Sequence, residues 1–145
     1  MQAARLARHY EHVVIDTGQH PHQDDLKSLS EGCDLLVVPA VPASLDTDGL
    51  VLTLEALHRI GSSRYRILLT KVPPPPEPEG PQLRAEIISQ GLPVFAVDIP
   101  RLKAFEKAAA AGLIVNLVDD PRARRAWEAY ATAGRELLQN ASAAA

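Results

Sequence analysis

The sequence predicts an α/β protein, a mostly parallel sheet flanked by helices. Three observations carry that expectation. Short runs rich in Val, Ile and Leu recur at residues 12–15, 35–38, 66–69 and 93–97, each bounded by a turn-former or a polar residue. They are too short for helices and lack polar alternation, as strands buried on both faces do. Between them lie segments with helical spacing, joined by short connections. Strands alternating with helices favour a parallel sheet with right-handed crossovers.

Each element has its own grounds. Leu50, Val51, Leu54 and Leu57 form one apolar stripe, with Asp48, Glu55 and Arg59 mostly off it. Leu83, Ile87 and Ile88 mark a shorter helix that begins just after Pro81, a favourable first-turn residue. Leu102, Phe105 and Ala109 mark another, and Gly112 is placed to end it. The last helix is capped by Asp119 or Asp120, with Pro121 in its first turn and Trp127, Tyr130, Gly134 and Leu137 following at three- and four-residue steps. Domain organisation reads as one unit over residues 1–138, with a frayed tail at 139–145. The run Pro73-Pro74-Pro75-Pro76-Glu77-Pro78-Glu79-Gly80-Pro81 reads as a stiff connection from strand to helix, since proline fixes φ and removes the amide donor.

Composition narrows the function. Apolar residues make up 46% of the 145, enough for a core, which excludes a disordered chain. A formal charge of −3 gives no overall basic character that would demand nucleic acid. A single cysteine, Cys33, excludes an internal disulfide framework and a four-cysteine zinc site, and it reads as a small packed hydrophobe rather than a nucleophile. His9, His12, His20 and His22 cluster in sequence, but no cysteine or carboxylate completes a ligand set at familiar spacing. No apolar run is long enough to cross a bilayer, and the first ten residues lack the apolar core of a secretory leader. The expectation is a cytoplasmic protein without a membrane partner.

Ligands of open parallel sheets bind beyond the carboxyl ends of the strands. Here those ends are Asp16-Thr17-Gly18-Gln19, Pro39-Ala40-Val41-Pro42, Thr70-Lys71-Val72-Pro73 and Asp98-Ile99-Pro100-Arg101. A carboxylate at such an end can hold a Mg²⁺-bound water, and a neighbouring glycine lets its amide approach a phosphate. The run Tyr10-Glu11-His12-Val13-Val14-Ile15-Asp16-Thr17-Gly18 resembles the Walker B and switch II segment of the ParA/MinD family of P-loop ATPases. Further resemblances follow in the family's order. They are Cys33-Asp34-Leu35-Leu36-Val37-Val38-Pro39 for the next strand, Val41-Pro42-Ala43-Ser44-Leu45-Asp46 for the turn into a helix, Leu68-Leu69-Thr70-Lys71 for the strand end bordering the base, and Val97-Asp98-Ile99-Pro100-Arg101, with Phe105, Ala108 and Gly112, for the adenine-side loop and helix. Together they cover roughly residues 8–138.

The resemblance implies a P-loop NTPase-like fold, ATP and Mg²⁺ as cofactors, and a role in partitioning or positioning. It implies that Asp16 positions Mg²⁺ through water, that Thr17 and Gly18 sit near the γ-phosphate, that Thr70 and Lys71 flank the base, and that Pro100 and Arg101 close the adenine pocket. It further implies self-association, a partner protein that stimulates hydrolysis, and non-specific DNA contacts through Arg122, Arg124 and Arg125. Acids interleave with those arginines, so a solvated face of i,i+4 pairs is an equal reading. The departure is the phosphate cradle. A P-loop needs a glycine-rich turn ending in Lys-Ser/Thr, and this sequence has none. The resemblance places that segment before residue 1, so the chain alone is expected neither to bind ATP well nor to hydrolyse it. Two other readings compete: a non-catalytic interaction or dimerisation module of the same fold, and a receiver-like signalling domain. The second is disfavoured because Thr70 and Lys71 share one strand end and the first strand lacks an acidic pair.

Overall fold

The computed structural model describes residues 8–17 and 23–143, with backbone alone for 23–24, 44–48 and 142–143. In chain order the elements are α1 (Gln23–Gly32), β1 (Leu36–Ala40), α2 (Ser44–Arg59), β2 (Tyr65–Leu69), α3 (Glu79–Ser89), α4 (Lys103–Ala111), a single 3₁₀ turn (Val115–Leu117) and α5 (Ala123–Ala143). The α/β class is as expected, and the two strands pair in parallel, Leu36 opposite Tyr65 through Ala40 opposite Leu69.

The expected four-strand sheet needs correcting among the described residues. Two regular strands form the ladder, and residues 93–100 lie beside β2 as an interrupted third. This segment is parallel to β2, with bridges at Ile67–Val94 and Val72–Pro100. Its interruption has a clear cause. The Phe95 amide donates to Ile67 O at 2.9 Å, but the next amide to reach β2 is that of Ile99, on Leu69 O at 2.9 Å. Four residues of the segment therefore advance along two of β2, which is a bulge. In between, the Ala96 amide is diverted to the Glu136 carboxylate of α5, at 2.9 and 3.1 Å.

Residues 12–15 form no strand at all. Val14 is 94% exposed, and Val13 and Ile15 are also open to solvent. A doubly apolar run needs a neighbouring strand to satisfy its amides and cover its side chains. None of the described residues provides one, and β1 has β2 as its sole ladder partner among them. Proline marks that open edge. Leu36 donates to Arg64 O and Ala40 accepts from Thr70, so the alternation turns Pro39, which has no N–H, away from β2.

One face of the sheet carries the main core. Val38 and Ala40 of β1 and Ile67 and Leu69 of β2 meet Leu26 of α1, Leu50 and Leu57 of α2, and Leu83 and Ile87 of α3. The opposite face is thinner: Val37 is exposed, and Arg66 reaches Glu136 of α5 at 3.1 Å. A second, smaller core joins Ala104 and Ala108 of α4, Val115 of the 3₁₀ turn and Ala126 of α5. The small side chains let these elements approach closely.

The helix ends follow the sequence. Gly112 adopts φ 64° and ψ 31°, and the Leu113 amide returns to Ala108 O at 3.0 Å, so glycine ends α4 as expected. Asp120 caps α5, its Oδ1 accepting from the Arg122 amide at 2.9 Å. α3 begins at Glu79, so Pro81 sits within its first turn. α5 continues to Ala143, past the point where fraying was expected, and Asn140 Nδ2 donates to Glu136 O at 2.8 Å within it.

Candidate functional site

Two of the expected strand ends come together. The Thr70 amide donates to Ala40 O at 2.8 Å, closing the end of β2 onto β1. Two residues on, the Val72 amide donates to Ile99 O at 3.0 Å and the Arg101 amide to Val72 O at 2.8 Å. Thr70, Lys71, Pro100 and Arg101 are thus held on neighbouring segments at one sheet end. Between those bonds Lys71 takes φ 52°, a left-handed conformation rare outside glycine, asparagine and aspartate. Anchored on both sides, its backbone is fixed while its ammonium stays exposed.

The expected strand end at Asp16 is less assembled. Asp16 and Thr17 are exposed and belong to no ladder, and Gly18, like His20 and His22, lies outside the described residues. Mg²⁺ in nucleotide sites takes one or two carboxylates, substrate phosphates and several waters. Asp16 can supply one such carboxylate. Among the described residues no group of three or more His, Cys, Asp or Glu could hold a metal.

The arginines divide sharply. Arg101 is bound by the Glu77 carboxylate of the proline loop, at 2.7 and 3.0 Å. Arg84 of α3 pairs with Asp98 and donates to Phe95 O at 2.9 Å. Arg122 turns to Asp120 at 3.3 Å, and Arg124 to Glu128 at 2.8 Å, one turn along α5. Arg125 has no acidic partner among the described residues. It lines a cleft of about 710 Å³ formed by the proline loop, α3, the turn after residue 99 and α5. Pro100 and Arg101 line this cleft too, whereas Thr70 and Lys71 do not.

Two titrating groups bear on the surroundings. The Asp120 carboxyl is held at about 2 by Lys107, whose ammonium lies 2.8 Å away, and by the Arg122 amide. This ties α4 to the start of α5. Burial pushes the Cys33 thiol up, with Arg64 partly opposing, which fits an inert packed side chain.

Sequence reasoning missed α1, whose signal was the short Leu26–Leu29 spacing ending in Gly32. It also missed the Glu77–Arg101 and Glu136–Arg66 pairs, which join residues 24 and 70 positions apart. It read the prolines as a connection, and they are a cleft wall as well.

No family model matches the chain. A protein of Gloeobacter kilaueensis named "Maintenance of carboxysome distribution protein A" is 31% identical to it over 140 residues, which are 94% of this chain and 63% of that protein. The chain thus spans less than two thirds of that relative's length, and it is similar to it along nearly all of its own.

Proposed function

We propose that this chain is the larger part of a ParA-like positioning protein, an ATP- and Mg²⁺-dependent switch acting in the cytoplasm, and that by itself it does not turn over ATP. One observation carries the reading: 31% identity along 94% of the chain to a protein named for maintaining carboxysome distribution. The open edge of β1 and the unpaired residues 12–15 support it, because a strand inserted between them would satisfy both. The additional length of the relative is where such a strand, with its phosphate-binding turn, would come from.

In the complete protein Asp16 would hold a Mg²⁺-bound water, Thr17 and Gly18 would sense the γ-phosphate, and Thr70, Lys71 and Pro100 would border the base. Arg101 belongs to that border through its backbone, its guanidinium being engaged by Glu77. Self-association, a stimulating partner protein and non-specific DNA complete the proposal. For DNA, Arg125 is the arginine of the three not already paired with an acid.

The test is calorimetric titration with Mg-ATP. Most affinity in P-loop proteins comes from the amide cradle and its lysine. What this chain retains is base stacking worth about 1–3 kcal/mol, short of the roughly 4.1 kcal/mol that corresponds to 1 mM. No micromolar binding is expected for the 145-residue chain. The protein extended by its upstream coding segment should bind and hydrolyse ATP, and Asp16→Ala should abolish hydrolysis without changing the circular dichroism spectrum. A non-catalytic module would show no turnover even when extended. Micromolar binding by the unextended chain, lost on Asp16→Ala, would overturn the reading.

A further inference from the structure

We propose that the outer face of α5 is a self-association surface, on which α5 of a second copy of this chain packs antiparallel. The spacing is the first argument. Trp127, Ala131, Gly134 and Leu138 follow one another at steps of four, three and four residues, so they share one stripe over about 17 Å of helix. Trp127 is 41% and Leu138 43% exposed, Gly134 is exposed, and neither core includes any of the four. Inward, α5 packs through other positions: Ala123, Ala126 and Ala133. Gly134 is the second argument. A helix interior favours almost any residue over glycine, and a Cβ here would meet nothing within 4 Å. No contact among the described residues calls for the missing side chain. Close approach of a second helix backbone does. Gly134 and Ala131 give the stripe a flat centre between two large apolar ends, a shape that an antiparallel pair matches to itself, with each Trp127 against Leu138 of the other copy.

Charge is the third argument and fixes both partner and direction. Glu128 and Arg135 each follow a stripe residue, so they lie on the same flank of it. Within the chain Glu128 accepts from Arg124 at 2.8 Å, whereas Arg135 donates to the Thr132 hydroxyl at 2.9 Å and has no acidic partner among the described residues. In an antiparallel pair the same flanks face each other. With Trp127 level with Leu138 of the second copy, Glu128 and Arg135 of opposite copies stand two residues, about 3 Å, apart along the axis. In a parallel pair they stand seven residues, about 10 Å, apart and miss each other. One helix thus carries both halves of the complementarity, as a second copy of the chain requires. The pairing uses no nucleotide and none of the residues assigned to the base or to Mg²⁺, so it goes beyond the nucleotide-dependent reading.

The test is sedimentation equilibrium of the 145-residue chain without nucleotide. One helix face per copy is a small interface, so a dissociation constant on the order of 10 µM is expected. Trp127→Ala should weaken the dimer at least about tenfold, as loss of a buried aromatic anchor does. Gly134→Leu should weaken it as well, although the single chain has room for the side chain and the helix gains propensity. Glu128→Arg alone and Arg135→Glu alone should each weaken it about tenfold, two symmetric surface pairs being lost and replaced by like charges. The two reversals combined should restore wild-type affinity, because the pairs re-form with their signs exchanged. Trp127, Glu128, Gly134 and Arg135 are all exposed, so the variants should fold, which circular dichroism checks. A monomer up to about thirtyfold the expected constant would overturn the proposal. So would a dimer that Trp127→Ala leaves intact, since the open edge of β1 or another surface would then be the contact. Single reversals without effect, or a double reversal that fails to restore affinity, would overturn the antiparallel pairing.

Discussion

Residues 12–15, His-Val-Val-Ile, and residues 66–69, Arg-Ile-Leu-Leu, are runs of one polar and three apolar residues with opposite fates. In the second, Ile67 and Leu69 are fully buried and bond the 93–99 segment, while the alternate residues of the run face β1. In the first, Val14 is 94% exposed and no ladder forms. Local composition gives the first run, with two valines and an isoleucine, at least as high a β propensity as the second. The difference is the neighbour: β2 has β1 on one edge and residues 93–100 on the other. A strand is a property of a pair, and a run that reads as a strand without a partner marks where a partner belongs.

The largest expected effect breaks that comparison directly. Ile67→Ala removes a fully buried side chain from the centre of the main core and should cost about 2–5 kcal/mol in urea unfolding. Val14→Ala should stay within about 0.5 kcal/mol, as surface changes do. If the two cost the same, residues 12–15 are buried in solution and the contrast fails. In a protein extended upstream, the proposed function expects Val14→Ala to become costly, because the inserted strand would cover it.

A second contrast lies between glycines. A Cβ on Gly80 would stand 2.5 Å from Val72 Cγ1, while one on Gly134 would meet nothing within 4 Å. Val72 is bonded to both Ile99 and Arg101, so it has little room to withdraw. Gly80→Ala should therefore cost about 1–3 kcal/mol, the usual range for overpacking. Gly134→Ala, at an exposed helical position, should stabilise by up to about 1 kcal/mol. A stabilising Gly80→Ala would mean that the proline loop is not held against the end of β2, and the cleft would lose its wall.

What was legible in the sequence divides along the same line. Gly112 and Asp120 were readable as caps because a cap is set by residues within one turn. Tyr65–Leu69 and the helices at Ser44–Arg59 and Lys103–Ala111 carried their periodicity within themselves. The bulge at residues 96–98 was not readable, because the carboxylate that takes the Ala96 amide sits 40 positions away. The same holds for Glu77 capturing Arg101, which redirects a side chain expected at the base. Of the candidate site, the nearness of Thr70 and Lys71 to Pro100 and Arg101 was legible because the strand ends that carry them close one sheet end. Asp16 was expected at a strand end, and among the described residues no strand forms there.

The smallest effect sharpens the comparison at a junction where an ion pair adds to a small buried core. Among the described residues, 8–17 show one close charged contact, between exposed Glu11 and His12 at 3.9 Å, whereas the α4–α5 junction has Lys107 on Asp120 at 2.8 Å. The Asp120 carboxyl is lowered from 3.8 to about 2 in the folded chain, by Lys107 first and then by the Arg122 amide. A folded pKa below the unfolded one means that the charged form favours folding. Its contribution is fully present above about pH 4 and is lost as the pH falls from there towards 2. Asp120→Asn separates charge from cap, because asparagine caps helices about as well as aspartate. At neutral pH the variant should melt below wild type by less than the Ile67→Ala or Gly80→Ala variants do. The gap should narrow as the pH drops through this window and close near pH 2, where wild type is itself becoming protonated. Thermal melts of both proteins from pH 7 to pH 2 would show it. A gap that is independent of pH would assign the effect to packing at the cap and leave Lys107 without a role in joining α4 to α5.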